Sequence, residues 1–252
     1  MSEYYEKFNK DGFIIIKNFI NSSSFNNTCD SLNWEIEKEF KEIEVSKMGG
    51  SIIGNLNVYP GKFSKIILED LKKNGIDEII QQLTKRDLNN LVLRVGGNLA
   101  LPNKYNQHFH TDGNFNEEMF LVSIATCDVN EENGPTEIVL ETHKSDLPYW
   151  KFLLKKKIKK KIFLSKGDLV IRKHCLWHRG TVNKSKDNRF LIAYLYFDNK
   201  RGIKSNLEEG DKIKIYNNFF GNNFIDRFKE IIYVYFKFLF VLYKLVLSIK
   251  KK

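Results

Sequence analysis

The sequence predicts a mainly β protein with flanking α-helices, built as one domain with its helices first. Three observations carry this. Residues 1–90 hold long stretches with apolar positions at helical spacing, residues 91–200 hold short apolar or alternating runs parted by Gly, Asn, Asp and Pro, and no fixed-period repeat or low-complexity linker divides the chain. Its 252 residues suit this reading, since β barrels and sandwiches often use about 200 to 250 residues undivided.

In chain order, Ser2 to Lys10 is polar, where a signal peptide would be apolar. Asp11-Gly12 reads as a turn into a short buried strand, Phe13–Ile16, and Asn21 to Ser24 offer N-caps to a helix from about Phe25 to Val45. Leu32, Ile36, Phe40 and Ile43 form its apolar stripe. Gly49-Gly50, Gly54 and Pro60-Gly61 mark a loop-rich stretch, followed by a helical region from about Ser64 to Leu83 with a break around Asn74-Gly75. Strands are expected at Leu91–Val95, Phe120–Ala125, Glu137–Leu140, Lys161–Leu164, Asp168–Arg172 and Phe190–Phe197, the pattern of a sandwich or barrel.

Composition excludes some functions. A hydrophobic share of 42% with 13% aromatics supplies a packed core and argues against disorder. The net charge of +10 could suggest nucleic acid, but only seven of 41 basic residues are Arg and no basic stripe interleaved with aromatics lies outside the tail, so no nucleic-acid partner is expected. Cys29, Cys127 and Cys175 are odd in number and far apart, which fits a reducing, cytoplasmic setting.

Chemistry concentrates in Gln107-His108-Phe109-His110-Thr111-Asp112-Gly113. On a strand, a two-residue spacing sends His110 and Asp112 out of one face, where they can grip one ion. A third ligand must come from elsewhere, and His178 stands at the end of a later strand led in by Gly167-Asp168. Two imidazoles and one carboxylate on one face of a metal leave the opposite positions open, the arrangement of non-haem iron(II) oxygenases. Arg189, eleven residues beyond His178, offers a planar cation suited to a carboxylate.

The order of these parts resembles the phytanoyl-CoA dioxygenase family. His-x-Asp is followed by Asn133-Gly134-Pro135-Thr136-Glu137 with Thr142-His143-Lys144, then Gly167-Asp168, Trp177-His178-Arg179-Gly180 and Arg189; the resemblance runs from about Asp11 to Phe197. It implies a double-stranded β-helix (jelly-roll, cupin-like) core and an enzyme that uses iron(II), 2-oxoglutarate and dioxygen. Such enzymes usually hydroxylate an unactivated carbon with release of succinate and CO2. By resemblance His110, Asp112 and His178 match the metal positions and Arg189 the 2-oxoglutarate arginine. The family often has Ser two residues after the distal histidine, where this chain has Gly180 followed by Thr181, so either Thr181 substitutes as a co-substrate contact or that contact is absent. His143 is open between a supporting and a purely structural role. His108 is a candidate for the pocket wall on the face of His110, and His174 is read as structural. Met48–Pro60 and Leu101–Gln107 are the expected substrate-facing loops.

On this reading residues 1–205 form a single iron(II)/2-oxoglutarate dioxygenase domain, helical over 1–90 and β-helical over 91–200, and residues 206–252 a basic, apolar helical tail. The nineteen residues Ile231–Ile249 could make a helix of about 28 Å, near the thickness of a hydrocarbon core. However, Glu230, Tyr233, Lys237, Lys244, Ser248 and Lys251 recur on one side. A narrow polar stripe suits peripheral membrane contact through residues 224–252, with a helix packed on the core or a partner, or a true span, as the other options. The substrate is then a small or lipid-linked molecule. Retention of Asp112 argues against a halogenase, and a non-catalytic or non-2-oxoglutarate metal-binding protein on the same fold is the remaining alternative.

Overall fold

Alternation along the strands of one sheet builds the cavity that holds the candidate site. The computed structural model describes residues 3–117, 119–198 and 202–250. In chain order the elements are α1 (Glu3–Asp11), β1 (Phe13–Ile16), α2 (Ser23–Glu42), β2 (Asn55–Tyr59), α3 (Phe63–Lys73), α4 (Ile76–Thr84), β3 (Leu91–Ala100), β4 (Met119–Ala125), β5 (Thr136–Val139), α5 (Tyr149–Leu154), β6 (Lys159–Ile162), β7 (Leu169–Lys173), β8 (His178–Gly180), β9 (Arg189–Asp198), β10 (Lys214–Tyr216), α6 (Phe224–Tyr235) and α7 (Lys237–Lys250). Antiparallel pairing gives a seven-stranded sheet, β1-β7-β4-β9-β3-β2-β10, and a three-stranded sheet, β6-β5-β8, the jelly-roll arrangement expected from the resemblance.

Successive side chains of a strand point to opposite faces, and β9 shows what this sheet does with that. Phe190, Ile192, Tyr194 and Tyr196 pack into the main core with α2, α3 and α4, whereas Leu191, Ala193, Leu195 and Phe197 line a cavity of about 490 Å³ on the other face. Strand β4 divides the same way, with Phe120, Val122 and Ile124 in the core and Met119, Leu121 and Ser123 at the cavity. The small sheet closes the opposite wall through Thr136, Ile162, His178 and Gly180.

The helices follow local signals. Ser22 caps α2 by accepting from the Phe25 N–H at 3.1 Å, and Cys29, Leu32 and Ile36 are its buried stripe. The expected break at Asn74-Gly75 separates α3 from α4, with Gly75 left-handed at φ 82°. Asp168 acts structurally: it accepts from the Asn18 and Ser165 N–H groups at 2.8 and 2.7 Å and pairs with Lys17 at 2.6 Å, tying the end of β1 to the start of β7.

Three departures stand out. Besides the expected strand Phe13–Ile16, the N-terminal region supplies β2, which was not expected, and both join the large sheet. Beyond residue 205 the chain first returns to the core: Asn206 donates to the Val95 carbonyl and accepts from its N–H, and β10 pairs with β2. The apolar tail is broken at Phe236 into α6 and α7, which meet at 111°, and among the described residues no single helix is long and apolar enough to cross a membrane. The α6 part of the polar stripe, Glu230 and Tyr233, faces inward. Glu230 is fully buried, accepts from the Ile52 and Ile53 N–H groups at 2.9 and 3.1 Å and pairs with Arg227, while Tyr233 is buried beside Ile53.

Candidate metal centre

The segment carrying His110 and Asp112 is extended but is not a ladder strand, contrary to the expectation. It is held against residues 174–180 by separate backbone contacts. His110 and His178 exchange both N–H···O bonds at 2.9 Å, the Asp112 N–H donates to the His174 carbonyl at 3.0 Å, and the Gln107 N–H to the Gly180 carbonyl at 3.0 Å. The Gln107 side chain accepts from the Gly180 N–H at 2.7 Å. A Cβ at residue 180 would meet that side-chain oxygen at 3.0 Å, which is why glycine suits the position. Strand β5 fixes β8 from the other side through the register pair Ile138 with His178 and the Arg179–Glu137 ion pair at 2.7 Å.

This scaffold converges three donors. Among the described residues His110, Asp112 and His178 are the group of metal-binding side chains whose ligand atoms all lie within 4.8 Å of one another. Each histidine has its Nδ1 2.9 Å from the carbonyl two residues earlier, His108 for His110 and Leu176 for His178. A carbonyl can only accept, so Nδ1 carries the proton and Nε2 keeps its lone pair for a metal. His178 Nε2 lies 3.6 Å from Asp112 Oδ1. The other carboxylate oxygen, Oδ2, is taken by Arg172 Nη2 at 2.5 Å. One oxygen is thus held and the other left for the ion. This donor set fits iron(II).

Electrostatics keep the donors in their ligating forms. Burial raises the Asp112 carboxyl, but Arg172 and the two histidines outweigh it and hold the group well below the usual carboxylate range. Burial and then Arg172 push His178 down to about 3, and burial lowers His110 as well. Unfolded histidine titrates near pH 6.5, so between about pH 6.5 and 3 the unfolded chain binds protons that the metal-free fold refuses. Stability must then fall as pH falls through that window, and Asp112 adds a loss of the same sign at more acid pH. At about 1.4 kcal/mol per pH unit for one such proton, the metal-free chain is expected to lose a few kcal/mol, seen as a falling urea midpoint. A flat midpoint would contradict a neutral histidine pair.

Arg189 lies on the same cavity. It is 3% exposed, donates through Nη2 to the Gly134 carbonyl at 2.7 Å and through Nε to the Asn133 carbonyl at 3.3 Å, and leaves Nη1 buried without a partner. Burial pushes the guanidinium down to about 10, with no acidic side chain paired to it among the described residues. A buried, unneutralised cation is costly, and the carboxylate of a cavity ligand would relieve that cost.

Other expected residues fall elsewhere. The Thr181 hydroxyl donates to the Pro135 carbonyl at 2.7 Å, and Thr181 is outside the residues that line the cavity. His108 is not on the wall of this cavity: its ring lies between Tyr233 and Phe240, with Nε2 3.0 Å from the Tyr233 carbonyl. His143 packs against Gly12, whose φ of 81° and lack of Cβ make room for the ring, and its Nε2 lies 3.0 Å from the Asn9 carbonyl, away from the cavity that holds His110 and His178. His174 is buried between the Met119 and Asn114 carbonyls, as a structural residue would be. Of the expected loops, Asn57 and Gln107 reach the cavity.

Arg172, Asn218 and Phe219 were missed. Arg172 shares the cavity face with Val170 by the two-residue period of β7, a signal that was available. Asn218 and Phe219 come from beyond the core strands, with the Phe219 ring edge-on to His110 at 5.1 Å, and no local pattern marks them. Because Arg172 holds one oxygen of Asp112, Arg172→Met is expected to weaken metal affinity by about 10- to 100-fold without unfolding the chain, with Arg172→Lys intermediate. Titration with Co(II), followed by its visible spectrum, checks this; unchanged affinity in Arg172→Met would contradict it.

The model of the phytanoyl-CoA dioxygenase family matches residues 61–191, a span that includes all four candidate residues. No curated protein sequence matches the chain. Among solved structures, AviO1 from Streptomyces viridochromogenes is similar at TM-score 0.61 and 17% identity, covering 77% of this chain and 93% of that one. The non-heme alpha ketoglutarate dependent carbocyclase SnoK from nogalamycin biosynthesis is similar at TM-score 0.58 and 16% identity, over 79% and 84%. The epimerase SnoN, in complex with Fe3+, alpha ketoglutarate and nogalamycin RO, is similar at 0.56 and 14%, over 77% and 82%.

Proposed function

The chain belongs to the phytanoyl-CoA dioxygenase family, and on that footing we propose that His110, Asp112 and His178 hold its iron(II) and that Arg189 receives the distal carboxylate of 2-oxoglutarate. The chain is a 2-oxoglutarate-dependent non-haem iron oxygenase. The finer reading is a hydroxylase of an unactivated carbon in a small or lipid-linked molecule: 2-oxoglutarate, O2 and R–H give succinate, CO2 and R–OH. The observation that carries it is the joint placement, on one cavity, of three convergent donors with free Nε2 lone pairs and a buried arginine with an unsatisfied donor. A catalytic unit that extends beyond 1–205, because β10 joins the large sheet and Asn218 and Phe219 line the cavity, belongs to the same proposal, as does a reducing, cytoplasmic setting, supported by the free thiols of Cys29, Cys127 and Cys175.

Bound iron with its co-substrates supplies the oxidising power; the protein supplies geometry. His110 and His178 present Nε2 because backbone carbonyls hold their Nδ1 protons. Arg172 turns Asp112 so that Oδ1 faces the histidines. Arg189 anchors the far end of the diacid, which fixes the direction of its keto-acid end. Leu191, Ala193, Leu195 and Phe197 make an apolar wall that keeps water from the reacting carbon. A cavity of about 490 Å³ has room for the diacid and part of a second molecule.

The test is aerobic incubation of the purified chain with iron(II), ascorbate and 2-oxoglutarate, reading succinate by mass spectrometry. Iron-dependent succinate that disappears in His110→Ala supports the reading. Succinate that is absent, or unchanged in that variant, overturns it.

A further inference from the structure

We infer that a second recess, back to back with the metal centre, binds the phosphoryl group of a small soluble molecule. Successive side chains of the extended segment before Asp112 leave on opposite sides: His110 goes to the metal cavity, and Phe109 to a separate recess of about 260 Å³. Arg179, next to His178, turns the same way as Phe109, and Gln107 lines both spaces. The recess lies between α5 and α7, which supply Tyr149 and Phe152 on one side and Lys237 and Val241 on the other.

Lys157, Lys159, Arg179 and Lys237 line this recess, and no carboxylate does. Three of these cations are held by its aromatic wall. The Lys157 ammonium lies 4.9 Å from the Phe152 ring centre and donates to the Leu153 carbonyl at 3.0 Å. Lys159 and Arg179 both lie over the Phe109 ring, at 5.4 and 4.5 Å. Glu137 neutralises Arg179 at 2.7 Å, but among the described residues no acid pairs with Lys157, Lys159 or Lys237. Burial and the neighbouring Lys159 push the Lys157 ammonium down, as expected where positive charge gathers without a counter-charge. The form of that charge selects the ligand. The guanidinium that could clasp a carboxylate through two parallel bonds is already occupied. What remains free is a set of ammonium groups, compact point charges suited to an anion that carries more than one charge. A phosphoryl group brings roughly two negative charges near neutral pH together with strong acceptor oxygens. Tyr149 and Val241 give the recess an apolar side for the organic body of such a molecule.

The experiment is calorimetric titration of the full chain with phenyl phosphate, and with benzoate as a carboxylate on the same body. Phenyl phosphate is expected to bind about tenfold more tightly than benzoate, and more weakly as salt rises. Lys157→Gln and Lys237→Gln should each weaken it about fivefold, and Lys157→Glu with Lys237→Glu should abolish it while keeping the circular dichroism of the parent, which shows that the double variant is folded. Arg189→Met should bind phenyl phosphate as the parent does, because Arg189 lies on the other cavity, so the claim stands or falls apart from the catalytic one. Absent binding, equal binding of benzoate, binding that survives the double variant, or binding lost in Arg189→Met would overturn the proposal. Lipid is the other source of a phosphoryl group: capture of the chain by phosphatidylcholine vesicles holding phosphatidic acid, without binding of phenyl phosphate, would overturn the assignment to a soluble molecule.

Discussion

Arg189→Met is expected to raise the dissociation constant of 2-oxoglutarate by about two orders of magnitude while leaving the affinity for the metal within a few-fold. The guanidinium is buried, held by two backbone carbonyls and short of one partner, so it is positioned before any ligand arrives. A charge-assisted contact made in a desolvated pocket contributes about 2–5 kcal/mol when one partner is removed, and about 3 kcal/mol corresponds to the stated change. Calorimetric titration of the Mn(II)-loaded chain measures it. A second readout follows from linkage: 2-oxoglutarate at about 100 times its dissociation constant should stabilise the parent by roughly 2.7 kcal/mol, and the same concentration should barely move Arg189→Met. Arg189→Lys should recover only part, because an ammonium cannot reproduce the planar fork. Retention of parental affinity in Arg189→Met would remove this residue from the site.

His178→Ala is expected to have a larger effect on the metal than any outer contact has, exceeding the ~100-fold that loss of a supporting partner costs. It removes one of three donors, and the remaining pair, His110 and Asp112, cannot enclose one face of an ion. The variant should still fold, since β8 is held by backbone bonds to β5 and by the Arg179–Glu137 pair, neither of which uses the imidazole. It should also flatten the acid dependence of the metal-free chain, because the buried neutral imidazole that refuses a proton is gone. Metal loss with flattened acid dependence would identify His178 as both ligand and acid-labile group. Metal loss with unchanged acid dependence would assign the lability to His110 and Asp112.

Where local pattern and tertiary role coincide, the sequence was informative. Strands β4 and β9 are legible as apolar runs bounded by turn residues, as is the break at Asn74-Gly75, but both faces of each strand are apolar and the sequence does not mark which one lines the cavity. The donors were legible for a different reason: spacing alone left His110 and Asp112 weak, and the order of motifs around them pointed to His178 and Arg189. The reasoning failed where it assumed regular structure. His108 was placed beside His110 by the period of a strand, but that segment makes isolated contacts, not a ladder, and the His108 ring turns to Tyr233. Strand β2 was hidden in a glycine-punctuated stretch, although Leu56 and Val58 alternate into the core. The polar stripe of α6 was read as suiting a helix on a membrane surface, with packing on the core as one other option, since nothing local shows that the Ile52 and Ile53 N–H groups need the Glu230 carboxylate. Long-range hydrogen bonding decided each of these.

The most direct measurement is anaerobic titration of the purified chain with iron(II) and then 2-oxoglutarate, following the weak visible metal-to-ligand charge-transfer band. The band should appear only with both added, vanish in His110→Ala, and require far more 2-oxoglutarate in Arg189→Met. Iron binding without a band would leave a metal protein of other chemistry, and no iron binding at all would contradict the assignment of His110, Asp112 and His178.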